Sequence, residues 1–224
     1  KESCATALAG HRAAILFNRK LEDGFMFWDH VAGVYDIFTN IINRKTHKGL
    51  CARVEEEISA TDEVLECACG TGLLSGVIAR KSKSLVATDF SPKMLKKASK
   101  KYRSYTNIEF KEGNILQIEY PDEHFDIVVA ANVIHLLDEP YKALAELDRV
   151  CRKGGKIIIP TYMNKNEKGK TSQFANVAGK AGADFKRQFT FDTYKQFIKE
   201  AGYTNVDYSW IDGKIPCAVA VIKK

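Results

Sequence analysis

The run Val64-Leu65-Glu66-Cys67-Ala68-Cys69-Gly70-Thr71-Gly72 constrains this chain more than any other. A short apolar stretch enters a glycine turn, and a helical pattern follows over residues 73–81. Gly70 and Gly72 carry no Cβ, so the backbone there can approach a ligand closely. The helix behind the turn presents first-turn N–H groups that have no intrahelical partner. Taken alone the turn is ambiguous. A plain tight turn reads the same way, and nicotinamide and flavin sites use a similar one.

The rest of the chain narrows the choice. Strand-like runs at 63–67, 84–88, 107–110, 125–130 and 156–160 alternate with helical patterns at 73–81, 92–102 and 141–151. That alternation predicts a parallel sheet with crossover helices. Ser91 and Pro92 form an N-cap followed by a first-turn proline, Asp138 is placed to cap the helix after Pro140, and Gly154 is placed to stop it in a left-handed conformation. Toward the C-terminus a helix with Phe191, Tyr194, Phe197, Ile198 and Ala201 on one face ends at Gly202. Two strand-like runs follow, 204–211 and 216–222, joined by a short connector at Asp212 and Gly213. They predict an antiparallel hairpin. The fold expected is therefore α/β: a doubly wound, Rossmann-like, seven-stranded sheet, mostly parallel, with one antiparallel strand near the C-terminus, inserted beside the fifth strand.

Asp89 ends the second strand. An acid there can accept hydrogen bonds from both hydroxyls of a ribose, as in nucleoside recognition by doubly wound sheets. Ser91 is already available to cap the next helix, which weakens a pure capping role for Asp89.

With these residues in place, the chain resembles the class I S-adenosylmethionine (SAM)-dependent methyltransferases, and within them the small-molecule branch that includes the ubiquinone and menaquinone C-methyltransferases. The likeness runs over about residues 28–222. It implies SAM as cofactor, with S-adenosylhomocysteine (SAH) as product. It implies that Glu66 holds the methionine amino group, often through water, and that Ala68, Gly70 and Gly72 form the loop. It implies that Asp89 holds the ribose, that Phe90 packs on adenine, and that Gly113-Asn114, with Ile115 beside it, meets the adenine amino group. The fourth strand and its exit, from Phe125 through Ala131 and Asn132 to His135, match the next motif of the family. Tyr35, in an aromatic-rich N-terminal segment with Trp28, corresponds to a tyrosine that reaches the methionine carboxylate; core packing explains the same aromatics. The first glycine of the usual Gly-x-Gly-x-Gly is Ala68 here, and the usual Asp is Glu66.

His135 follows the fourth strand, at the edge where such sheets bind ligands. It reads either as the base that takes a proton from the methyl acceptor or as a histidine that orders its loop. Two other readings compete with methyl transfer. A nicotinamide-dependent oxidoreductase would need its third glycine at Ser75 and has no place for the terminal hairpin. A non-catalytic SAM-binding module needs no feature that is missing.

Bulk properties set the remaining bounds. The 224 residues carry a formal net charge of +6. One domain is expected, with 1–59 a helical lid, 60–160 the cofactor-binding core, 161–189 a substrate lid and 190–224 a C-terminal helix and hairpin. Lysines concentrate at 93–103 and 165–187 without forming an unbroken basic arm, and solvated faces explain most of them. They are the main argument for a nucleic-acid substrate, which the sequence otherwise disfavours, because 132–135 lacks the Asn/Asp-Pro-Pro-aromatic signature. A small-molecule acceptor is expected instead, walled by Trp28, Tyr35, Tyr162 and Phe174. Six scattered cysteines point to free thiols in a reducing compartment, with no zinc pattern. Cys67 and Cys69 read as neighbours on one face of a strand. Residues 1–20 lack the apolar stretch of a secretory signal, no apolar run is long enough to span a bilayer, and a cytoplasmic location is expected.

Overall fold

A computed structural model describes residues 43–164 and 186–224. Its centre is one sheet of seven strands: β1 (Glu63–Cys67), β2 (Ser84–Asp89), β3 (Ile108–Glu112), β4 (Phe125–Ala130), β5 (Cys151–Tyr162), β6 (Val206–Ile211) and β7 (Cys217–Lys223). The order across the sheet is β3-β2-β1-β4-β5-β7-β6. β1 pairs in parallel with both β2 and β4, and β7 lies antiparallel between β5 and β6. Ile158 of β5 faces Val221 of β7 in that register. This is the expected topology, including the inserted strand.

Helices cover both faces. α1 (Arg44–Glu55), α2 (Ser75–Lys81) and α3 (Pro92–Lys101) lie on one side, α4 (Pro140–Val150) and α5 (Phe191–Glu200) on the other. Strand side chains alternate between two cores, as the pleat requires. Leu65, Val128, Ala130, Ile157 and Ile159 meet Leu144, Leu147, Tyr194 and Ile198. Val64, Ile127, Val129 and Ile158 meet Leu50, Val54, Ile78 and Leu95. α1 is tied to the far end of the chain: Asn43 both donates to the Ile215 carbonyl and accepts its N–H, each at 3.0 Å.

Four local expectations change. Asp138 does not cap α4. Pro140 occupies the first turn, Glu139 takes the cap position without a side-chain cap, and Asp138 pairs with Lys186 at 3.2 Å. Gly154 does adopt φ +76°, but inside β5 rather than at a helix end, because α4 stops at Val150 and the chain turns extended at Cys151. The register of β4 against β5 shifts between Phe125 and Ile127, and the glycines serve that bulge. α2 starts at Ser75, after a turn, rather than at residue 73. Cys67 and Cys69 do not share a face. β1 ends at Cys67, Ala68 turns left-handed, and the two thiols enter opposite cores. Both are free, and burial raises both thiol pKa values.

Of the helical lid expected over 1–59, residues 43–59 are described, and they contain α1. Trp28, Tyr35 and Phe174, with most of the two expected lid segments, lie outside the described residues.

Candidate cofactor site at the switch point

Strand order reverses between β1 and β4. Crossovers leave β1 toward β2 on one side, and β4 continues toward β5 on the other, so a crevice opens at the carboxyl ends of these two strands. The residues singled out in the sequence converge there from four strand ends.

β1 delivers the loop. Ala68 sits at φ +54°, Gly70 at +55° and Gly72 at +76°. A side chain beginning at Gly70 would meet nothing within 4 Å, so the loop borders open space there. Gly72 answers to packing as well: a Cβ would come within 2.8 Å of the Tyr102 ring, whose hydroxyl donates to the Gly72 carbonyl at 2.7 Å. Ala68 holds a conformation that glycine takes freely and L-residues resist by about 1 kcal/mol. Ala68→Gly is therefore expected to stabilise the fold by about 0.5–1 kcal/mol, read as a higher urea midpoint at unchanged slope. A lower midpoint would mean that the methyl group packs usefully.

β2 delivers Asp89, 5% exposed. One carboxylate oxygen accepts the Gly70 N–H at 2.8 Å, and the other accepts the Ser91 N–H at 2.9 Å. Ser91 caps α3 by accepting from the Met94 N–H at 3.2 Å. Asp89 thus helps build the turn into α3 after all, while its carboxylate clasps the glycine loop. Phe90, next in the chain, leaves 41% of its surface exposed. At the end of β3, the Gly113 N–H donates to the Asp89 carbonyl at 3.1 Å, and a Cβ at Gly113 would press on Thr88 at 2.9 Å. Asn114 is exposed and turns its side-chain oxygen to the Leu116 N–H at 2.9 Å; Ile115 is half-buried against the core.

Glu66 lies within β1, 2% exposed, and accepts from the Ser75 hydroxyl at 2.5 Å. Burial is the main cause that lifts its carboxyl to about 8; the Ser75 bond opposes the rise and the Asp89 charge adds to it. Ser75 was not picked out in the sequence, although it stands where a nicotinamide fingerprint would place glycine. A hydroxyl there serves a buried acid.

β4 delivers Ala131, half-buried against the α1–α3 core, then Asn132, then His135 in a single 3₁₀ turn (Ile134–Leu136). His135 is 4% exposed, and burial lowers its pKa to about 4. Its carbonyl accepts the Arg187 N–H at 3.1 Å, and Arg187 Nη1 reaches the Leu137 carbonyl at 2.9 Å. Asn164 donates to the Phe189 carbonyl at 2.8 Å. Both described ends of the segment expected as a substrate lid therefore lie against the exit of β4 and β5. Tyr162 ends β5 there, and Met163 follows it, fully buried.

An open doubly wound sheet with β7 inserted antiparallel, and an acid-clasped glycine loop at its switch point, is the arrangement of the class I SAM-dependent methyltransferases, and the chain has the fold of that family. The family model described as "Methyltransferase domain" matches residues 65–159, which contain the ends of β1, β2, β3 and β4. The chain is 32% identical over 151 residues to a demethylmenaquinone methyltransferase of Renibacterium salmoninarum, a match covering 66% of this chain and 62% of that protein. It is 28% identical over 137 residues to a phosphatidylethanolamine N-methyltransferase of Cereibacter sphaeroides, covering 60% and 66% respectively. The match thus spans less than two thirds of either relative. Among solved structures, a SAM-dependent methyltransferase of Thermotoga maritima shares the fold with a TM-score of 0.70 at 17% identity, over 89% of this chain and all of that one. SAM is the cofactor of the family, which removes the nicotinamide reading. No helix among the described residues is long and apolar enough to cross a membrane.

Proposed function

We propose that the protein transfers a methyl group from SAM to a small-molecule acceptor. The observation that carries this reading is the Asp89 clasp: a buried carboxylate at the end of β2, bonded to the glycine loop at the end of β1. The open space at Gly70 and the exposed ring of Phe90 fit a nucleoside laid across those ends. In this reading Asp89 accepts from the ribose hydroxyls, Phe90 packs on adenine, and Asn114 and Ile115 border its edge. Glu66 serves the methionine amino group. The backbone of Ala68, Gly70, Gly72 and Ala131 lines the remainder, and Tyr35 meets the methionine carboxylate.

SAM, when bound, supplies a methyl group made electrophilic by its sulfonium. What the chain must add is alignment and the exclusion of water. His135 is the proton acceptor of this reading. Burial keeps it neutral at pH 7 and also makes it a weak base, so it suits an acceptor with a loosely held proton. The relatives named above take their names from demethylmenaquinone and phosphatidylethanolamine, which are small molecules rather than polymers, and this supports a small acceptor here.

Two measurements test the proposal. Calorimetry is expected to show binding of SAM and SAH and none of NAD. Transfer of label from tritiated SAM is expected to a panel of small amines, phenols and thiols. Label passing only to RNA or protein would overturn the small-molecule acceptor, and SAM binding with no transfer at all would make the chain a binding module.

A further inference from the structure

We propose that Asn132 orients the methyl acceptor, its side-chain oxygen taking a hydrogen bond from an N–H or O–H group on that molecule. The assignment rests on the methyltransferase reading above and adds to it the chemical class of the acceptor.

Two independent features meet at this residue. The first is backbone strain. Among the described residues, three non-glycines have positive φ: Ala68, Glu123 and Asn132, all at +54°. Glu123 lies in an exposed turn and pairs with Lys153 at 3.0 Å. Ala68 shapes the cofactor loop. Asn132 directly follows β4, and its N–H donates to the Pro160 carbonyl at 2.8 Å, which locks it between the ends of β4 and β5. Strained residues held this firmly gather where a site requires them.

The second feature is an unmet polar atom. The Asn132 side-chain oxygen is shielded from solvent and has no hydrogen-bond partner among the described residues. A buried carbonyl oxygen without a donor destabilises a fold, so nearly all of them have one. This one sits at the switch point, between Ala131 and the turn that carries His135. Neither feature helps the protein by itself. A donor on a bound acceptor satisfies the oxygen and accounts for both.

The chemistry follows. A nucleophile must aim its lone pair along the methyl–sulfur axis. Holding the N–H or O–H of that same atom against a fixed oxygen sets its rotation. The acceptor nitrogen or oxygen bonds to the methyl carbon, and the carbon–sulfur bond breaks with its electron pair left on sulfur. The proton of the acceptor passes to His135, the proton acceptor of the reading above, an amide oxygen being too weak a base to keep it.

Asn132→Gly and Asn132→Asp test the proposal. Glycine accepts the left-handed backbone and deletes the oxygen; aspartate retains an oxygen and has no side-chain N–H. The glycine variant is expected to melt no lower than the wild type and to bind SAH within two-fold of it. Its kcat/KM should fall at least ten-fold with primary amines and phenols as probes and tritiated SAM as donor. The aspartate variant should stay within about three-fold of the wild type. The wild type should methylate these probes in preference to tertiary amines and thioethers, which carry no donor. A glycine variant that melts lower or loses SAH would make Asn132 structural. Unchanged turnover in that variant, an aspartate variant as poor as glycine, or a preference for donor-free probes would each overturn the assignment. Failure of the wild type to bind SAH would remove the underlying reading instead, so the two failures are distinguishable.

Discussion

Asp89→Ala is expected to weaken SAH binding by about 1.5–3 kcal/mol, a loss of roughly ten- to a hundred-fold. The substitution removes the expected partner of the ribose and also leaves the N–H groups of Gly70 and Ser91 without their carboxylate. Ser91 is fully buried, so its amide has no solvent to turn to. A stability loss of about 1–3 kcal/mol should accompany the binding loss. The two effects separate experimentally. Calorimetry on the folded variant reads affinity, and urea denaturation reads stability. Asp89→Asn makes a finer probe: its carboxamide can accept one of the two N–H groups but must turn an NH2 toward the other, so it should fall between wild type and alanine in both measurements. An alanine variant that is less stable yet binds SAH normally would leave Asp89 with the turn alone and take the ribose away from it.

That Asp89 serves two purposes was only half legible in the sequence. Its place at a strand end, after an apolar run and before a capped helix, followed from hydrophobic period and helix-start chemistry, both local signals. The seven strands and the inserted β7 were readable for the same reason: most strands are short apolar runs bounded by turn residues, and only an antiparallel neighbour permits so short a final connector. What escaped were bonds between residues distant in sequence. Ser75 reaches Glu66 from nine positions away, and the Asp89 clasp on Gly70 spans nineteen. Asp138 carried a correct local signal and was overruled by Lys186, forty-eight residues on. Backbone sign was also hidden. Nothing in the letters Ala68 or Asn132 announces φ +54°, and that one torsion sends Cys69 into the core opposite Cys67.

The same geometry explains why the site sits where it does. Parallel strands β1, β2 and β4 leave their last residues at one edge, and the left-handed turns at Ala68 and Asn132 bend both chain exits away from the sheet axis. The crevice between them is a consequence of topology; its selectivity belongs to the side chains that topology brings there. Glu66 and Asp89 are two carboxyls in that crowded place, and the Asp89 charge makes Glu66 harder to ionise. They separate in role because their partners differ. Asp89 takes two backbone N–H groups, which favour a charge, whereas Glu66 takes the Ser75 hydroxyl within the core.

Glu66 should therefore give the cofactor-free protein a pH-dependent stability that Glu66→Gln abolishes. An unfolded glutamate releases its proton near 4.5, whereas the folded one holds it to about 8. Below 4.5 both states are protonated and the residue contributes its full stability. As pH rises through the window, the unfolded chain loses the proton first, so the folded state is the one that binds more protons and its advantage falls by up to about 1.4 kcal/mol per unit. Past pH 8 the loss is complete, on the order of 3–5 kcal/mol. Glutamine has the same shape, can accept the Ser75 hydroxyl and never ionises. The variant should match the wild type near pH 4.5 and exceed it at pH 8.5, measured by denaturant unfolding at each pH. Cofactor adds a second signature. A methionine ammonium beside Glu66 favours the ionised acid, so SAH binding to the wild type at pH 7 should release a proton, detected as a calorimetric heat that varies with buffer ionisation enthalpy. In Glu66→Gln that release should vanish and affinity should drop. If wild type and variant show parallel stability curves from pH 4.5 to 8.5, Glu66 is ionised in the folded chain, and the buried neutral acid is wrong.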